Sequence, residues 1–147
     1  EQAEPVPTTT PSLSKSRCII SALIPGKDIA IISIGTIGQL AKRAISKATN
    51  CSVALYDMRF LKPLDEDILK NVGENFKYIV TLEDGTVKGG LGSAVAEVLC
   101  EECPVPMLRV GVEDKFGKSG KVPPLLEEYG LTAANIADKA RKAVKMK

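Results

Sequence analysis

Three stretches of the sequence hold residue types that could do chemistry. Asp57-Met58-Arg59-Phe60-Leu61-Lys62-Pro63-Leu64-Asp65 sets charged side chains beside an aromatic one. Glu83-Asp84-Gly85-Thr86-Val87-Lys88-Gly89-Gly90-Leu91-Gly92-Ser93 is glycine-rich and leads into a helical pattern. Cys100-Glu101-Glu102-Cys103 has the C-x-x-C spacing of redox pairs and half zinc sites.

The glycine-rich stretch joins a strand pattern to a helix start, where free amides and the helix dipole attract anions. Its spacing is neither a P-loop, which ends in Gly-Lys-Ser/Thr, nor the Gly-x-Gly-x-x-Gly dinucleotide turn. The favoured expectation is structural: Gly89, Gly90 and Gly92 let the loop pass close to its neighbours and let the helix pack on the sheet. A partner contact involving Ser93 and a phosphate site are the alternatives. In the first stretch, Asp57, Arg59 and Phe60 are expected to serve structure or a partner contact. Arg59 is expected to form a bidentate ion pair with Glu83 or Asp84, which also leave a strand end. The cysteine pair falls at a helix end with two acids between its members, so the dipole and those charges raise the thiol pKa and oppose thiolate chemistry. No metal ligand is assigned.

Composition narrows the chemistry further. There is no histidine, which excludes imidazole-based nucleophile systems and His-ligated zinc from this chain. Twenty basic against eighteen acidic residues leave a net charge of +2, too little to drive nucleic-acid or membrane-surface binding. With no Trp and 4% aromatic residues, base-stacking platforms are poor readings. No apolar run approaches 18 residues, so the chain reads as soluble. Four cysteines, at 18, 51, 100 and 103, suggest reduced thiols in a core-bearing chain of this size. A length of 147 residues suits one core. The start at Glu1, without initiator Met or signal peptide, reads as a piece of a longer protein.

The elements that must position these stretches follow from apolar patterning. Residues 1–16, rich in Pro, Thr and Ser, read as an extended linker ahead of a domain over 17–147. Near-continuous apolar runs at Ile29–Ile34, Val53–Tyr56, Tyr78–Leu82 and Met107–Val112 suit strands buried on both faces. Cys18–Leu23 reads as a further short strand. Helical spacing places Ile37, Leu40, Ala41, Ala44, Ile45 and Ala48 on one face, and Leu91, Ala94, Val95, Val98 and Leu99 on another. A helix starts near Asp65, a short one opens at Pro123-Pro124 and ends at Gly130, and Thr132 caps the last. That last helix should bury Ala133, Ile136, Ala137, Ala140, Ala143 and Val144, with a solvated basic end from Lys139 to Lys147. The alternation predicts an α/β fold, a three-layer α/β/α sandwich on a mostly parallel sheet. Its strand-to-helix loops then share the carboxyl edge, where such folds meet ligands or partners.

The two loop stretches, with Pro104-Val105-Pro106, Gly111, Asp114, Phe116 and Gly130-Leu131-Thr132, resemble the carboxy-terminal domain of the 1-deoxy-D-xylulose-5-phosphate synthase family. Through that family they also resemble transketolase. The resemblance implies a five-stranded sheet in which Cys18–Leu23 is the one antiparallel strand. It implies a parent enzyme that uses thiamine diphosphate and Mg2+ to condense pyruvate with glyceraldehyde 3-phosphate. It places catalytic and cofactor-binding residues in other domains, so none is assigned here, and the isolated domain is expected to be inactive and to bind no cofactor. The implied partners are the remaining domains and a second subunit in a homodimer, and the implied location is bacterial cytoplasm or plastid stroma. A contiguous exposed apolar patch is expected near Phe60 or the glycine-rich loop. The competing readings are the equivalent domain of transketolase or of a 2-oxo-acid dehydrogenase beta subunit, and a stand-alone phosphate- or nucleotide-binding regulatory module.

Overall fold

The alternating apolar runs and helices assemble, in a computed structural model that describes residues 22–47 and 51–145, around one five-stranded sheet. The linker assigned to 1–16, Cys18 and the first residues of its strand, Ala48, and Lys147 lie outside the described residues. In chain order the elements are β1 (Ala22–Ile24), β2 (Ile29–Ser33), a 3-10 turn (Gly35–Ile37), α1 (Gly38–Ile45), β3 (Val53–Asp57), α2 (Glu66–Asn75), β4 (Tyr78–Thr86), α3 (Leu91–Glu102), β5 (Met107–Val112), α4 (Val122–Glu128) and α5 (Ala133–Val144).

The strand order is β1-β3-β2-β4-β5. β1 runs antiparallel to β3, and the other three pairings are parallel. β2 is central, with Ile31 between Leu55 and Val80 in register, and all five of its residues are buried. Successive side chains point to opposite faces, so Ile29 and Ile31 join the cluster under α1 and α5, while Ala30 and Ile32 join the one under α2 and α3. Two helical layers thus cover the sheet, as the fully apolar strands require.

Local chemistry sets the helix boundaries. Asp65 accepts a hydrogen bond from the Ile68 amide at 3.2 Å, capping α2, and Glu66 and Asp67 fill its first turn. Thr132 caps α5 through the Asn135 amide at 3.3 Å. Gly130, at φ +69, makes the left-handed turn between α4 and α5.

Several boundaries differ from the sequence reading. β4 continues past Leu82 to Thr86, because a register shift after Leu82 lets Thr86 pair with Val112. The first helix opens with the 3-10 turn. Ile37, Ala41 and Ala44 are buried, while Leu40 and Ile45 are half-buried. α4 starts one residue before Pro123 and buries none of its residues fully. Val144, expected in the core, is 41% exposed at the end of α5. The basic end of α5 is partly engaged: Arg141 pairs with Asp138 at 2.6 Å and donates to the Lys47 carbonyl at 3.3 Å.

Candidate functional site

The carboxyl ends of the parallel strands bring the two loop stretches to one edge. There the side chain of Glu83 turns inward rather than toward solvent. It lies within the irregular stretch of β4 between Leu82 and Thr86, on the α3 side of the sheet, and is 4% exposed. The amides of Leu91 and Gly92, the first two residues of α3, donate to its two carboxyl oxygens at 2.8 and 3.0 Å. A helix start leaves such amides unpaired. Here a side chain eight residues upstream fills the position that a bound anion would take.

Two glycines make this seat possible. A Cβ on Gly90 would lie 1.9 Å from Glu83 Oε2 and 2.7 Å from the Thr86 carbonyl oxygen. One on Gly92 would lie 2.8 Å from both Thr81 Oγ1 and Arg109 Cδ. No side chain larger than hydrogen fits either place without displacing the cap or its floor. Gly89, at φ +75, turns the loop just before them.

Hydrogen bonds from Ser93 and Arg109 tie down the outside of the loop. The Gly89 amide donates to Ser93 Oγ at 2.9 Å, and the Ser93 hydroxyl donates to the Val87 carbonyl at 3.3 Å. Arg109 Nη1 donates to the same carbonyl at 3.2 Å and to Ser93 Oγ at 3.4 Å. Thr81 Oγ1, fully buried beneath Gly92, has no hydrogen-bond partner among the described residues. Sequence reasoning missed Arg109 and Thr81. The available signal was a single charged residue within the otherwise apolar run Met107–Val112.

The other expected residues scatter. Asp57 ends β3 and is half-buried, while Arg59, Phe60 and Asp84 are exposed. The ion pair expected between Arg59 and Glu83 or Asp84 does not form among the described residues. The strand order explains this. β2 intervenes between β3 and β4, so their ends stand about 10 Å apart, and Glu83 is already committed to α3. Phe60 is 53% exposed, whereas its neighbours Leu61 and Leu64 pack against the core. The apolar exposure beside Phe60 is thus its own projecting ring and not the contiguous patch expected there.

The cysteine pair sits at the end of α3, with Cys100 exposed and donating to the Glu97 carbonyl at 3.1 Å, and Cys103 half-buried. Among the described residues, no group of three or more His, Cys, Asp or Glu could hold a metal ion, and no helix is long and apolar enough to cross a membrane. α2 and α3 are joined by a Lys70–Glu102 pair at 3.0 Å, whose hydrogen bond raises the Lys70 pKa above its ordinary value.

Comparison with known proteins bears on what this edge serves. Residues 21–136 match the family described as transketolase, C-terminal domain. The chain is 46% identical over 121 residues to 1-deoxy-D-xylulose-5-phosphate synthase of Bacteroides thetaiotaomicron, covering 80% of this chain and 19% of that protein. It is 39% identical over 126 residues to a putative transketolase C-terminal section of Methanocaldococcus jannaschii, covering 84% and 39%. Among solved structures, a split-gene transketolase described as an inactive beta4 tetramer superposes with a TM-score of 0.81 at 41% identity, covering 87% of this chain and 43% of that one. The chain therefore spans about a fifth of the length of the first curated relatives it matches.

Proposed function

The chain belongs to the transketolase C-terminal domain family, and from that premise we propose that it is the carboxy-terminal domain of a thiamine-diphosphate-dependent 1-deoxy-D-xylulose-5-phosphate synthase. The parent would condense pyruvate with glyceraldehyde 3-phosphate, release carbon dioxide and form 1-deoxy-D-xylulose 5-phosphate. The observation that carries this reading is the 46% identity over 121 residues with a protein of that name. On this reading residues 1–16 are a linker and 17–147 the domain, which supports a larger cytoplasmic or plastid homodimer and supplies no catalytic group.

The glycine-rich loop at the carboxyl edge does not fit a diphosphate. The α3 amides that could cradle one already serve the Glu83 carboxylate, and Gly90 leaves no space for a further group beside it. On the proposed reading thiamine diphosphate and Mg2+ belong to the parent's other domains, and no step of the reaction is derived through this chain. The same cap argues against a stand-alone phosphate-binding module that uses the glycine-rich loop. What this domain contributes is a rigid edge, with α3 and its loop held by Glu83, Ser93 and Arg109.

The test is an assay of 1-deoxy-D-xylulose 5-phosphate formation from the two substrates with thiamine diphosphate and Mg2+. The 147-residue chain alone is expected to show no turnover, and the longer polypeptide encoded with it to be active. Turnover by the chain alone, or a longer polypeptide without this activity, would refute the reading.

A further inference from the structure

We propose that Phe60 and Phe116 are two prongs of one docking surface along the carboxyl edge, and that its occupant is an apolar protein surface in the remaining part of the parent polypeptide. The proposal rests on the domain reading above, and it adds which face docks and through which side chains.

The chain has only three phenylalanines, and they divide sharply. Phe76 is 7% exposed and packs edge-on against Tyr56. Phe60 and Phe116 are 53% and 100% exposed, a disposition water disfavours for so large an apolar side chain. Both follow parallel strands at their carboxyl ends, Phe60 after β3 and Phe116 after β5. Those strands stand three positions apart in the sheet, about 14 Å, within the width of one protein partner.

Between the prongs the edge is low. Gly35, Thr36, Gly85 and Gly89 are exposed there, and a Cβ at Gly35 or Gly89 would meet nothing within 4 Å. A partner can approach the backbone at Gly35 and Gly89 closely, between the exposed side chains of Thr36, Asp84 and Lys88.

Both prongs stand on tethered loops. Met58, two residues before Phe60, is fully buried, and its amide donates to the Ser33 carbonyl at 2.7 Å. The loop bearing Phe116 is held by the Lys118 amide donating to the Tyr129 hydroxyl at 2.9 Å, and its exposed Lys88–Asp114 pair at 3.2 Å adds little. Lys118 also pairs with Glu128, and Lys115 with Glu113. Charges of this loop are thus largely satisfied within the domain, and its apolar ring is the group left without a complement. An exposed anchor on a pre-ordered loop binds with little entropy lost on docking. The occupant follows from length: the first curated relatives are about five times longer than the part this chain matches, so a relative's polypeptide holds ample surface to cover this edge.

Amide hydrogen exchange over residues 57–65 and 113–121 tests the proposal, compared between the 147-residue chain and the longer polypeptide. Both segments are expected to exchange at least about tenfold more slowly in the longer polypeptide, since docking removes local opening. In that polypeptide a Phe60→Ser, Phe116→Ser double variant is expected to restore fast exchange. In the chain alone the same variant should lower the thermal midpoint by no more than a few degrees, because Phe116 is fully exposed and Phe60 about half exposed. Equal exchange in the two proteins overturns the proposal. So does protection that appears in the chain alone as its concentration rises, which would make a second copy the occupant. Slowed segments in a longer polypeptide that lacks synthase activity uphold the docking face while removing the proposed reaction.

Discussion

Glu83 concentrates most of what single residues decide in this domain. Its carboxyl group is buried, accepts from two backbone amides and rests against a glycine with no spare volume. Replacing it with Ala removes both acceptors and leaves the amides buried without partners. Hydrogen bonds to such a group contribute about 1.5–3 kcal/mol each at most and are coupled here, so Glu83→Ala is expected to cost roughly 3 kcal/mol. Urea denaturation of the chain measures this, and a cost below about 1 kcal/mol would mean the cap is dispensable. This seat was not legible in the sequence. The donors lie eight and nine residues from the acceptor, and although strand alternation puts Glu83 on the face of Ile79 and Thr81, nothing local marks it as the side chain that meets the first turn of α3. The Arg59 pairing misled for a related reason: chain order places β3 next to β4, whereas the sheet puts β2 between them.

At the scale of elements, apolar patterning located every parallel strand to within a few residues, because fully buried strands leave near-continuous Ile and Val runs. Helix starts were equally legible, near Asp65 and at the Thr132 cap, because both side chains make local bonds that do not depend on the rest of the fold. Where an element's end depended on a neighbour, as with β4 beside β5, the pattern fell short. The Lys70–Glu102 pair between α2 and α3 contributes little despite its 3.0 Å distance, since both side chains remain substantially exposed. Its hydrogen bond raises the Lys70 pKa, so any stabilisation is fully present below the ordinary lysine value and is lost only as pH rises through the raised one. Lys70→Met is therefore expected to leave the thermal midpoint unchanged relative to the parent chain from about pH 7 to 9. A midpoint that falls appreciably in that window would show the pair to be a structural strut.

Over the whole molecule, the two faces of the sheet carry separate clusters that share strands but not helices. The α1–α5 layer draws Ile136, Ala137, Ala140 and Ala143 from the last helix. Ending the chain after Tyr129 would uncover Val80, Leu82 and Val110 on β4 and β5 and part of Ile29 and Ile31 on β2, and would remove the buried Leu131 and Ile136, each fully buried Ile, Leu or Val being worth about 1.5–3 kcal/mol. That loss exceeds what a domain of this size holds in reserve, so the truncated chain is expected to lose its cooperative thermal transition, as calorimetry can record. A retained transition would mean that α5 is an appendage.

The five residues of β2 send alternate side chains into the two clusters, and this bears on how the domain can be observed. Without Trp, its near-ultraviolet emission comes from three tyrosines. Tyr56 packs against one cluster, Tyr78 and Tyr129 against the other. Since neither cluster survives without the strand they share, tyrosine light from either side of the sheet reports the same event, and an optical melt of this chain reads the state of both halves at once.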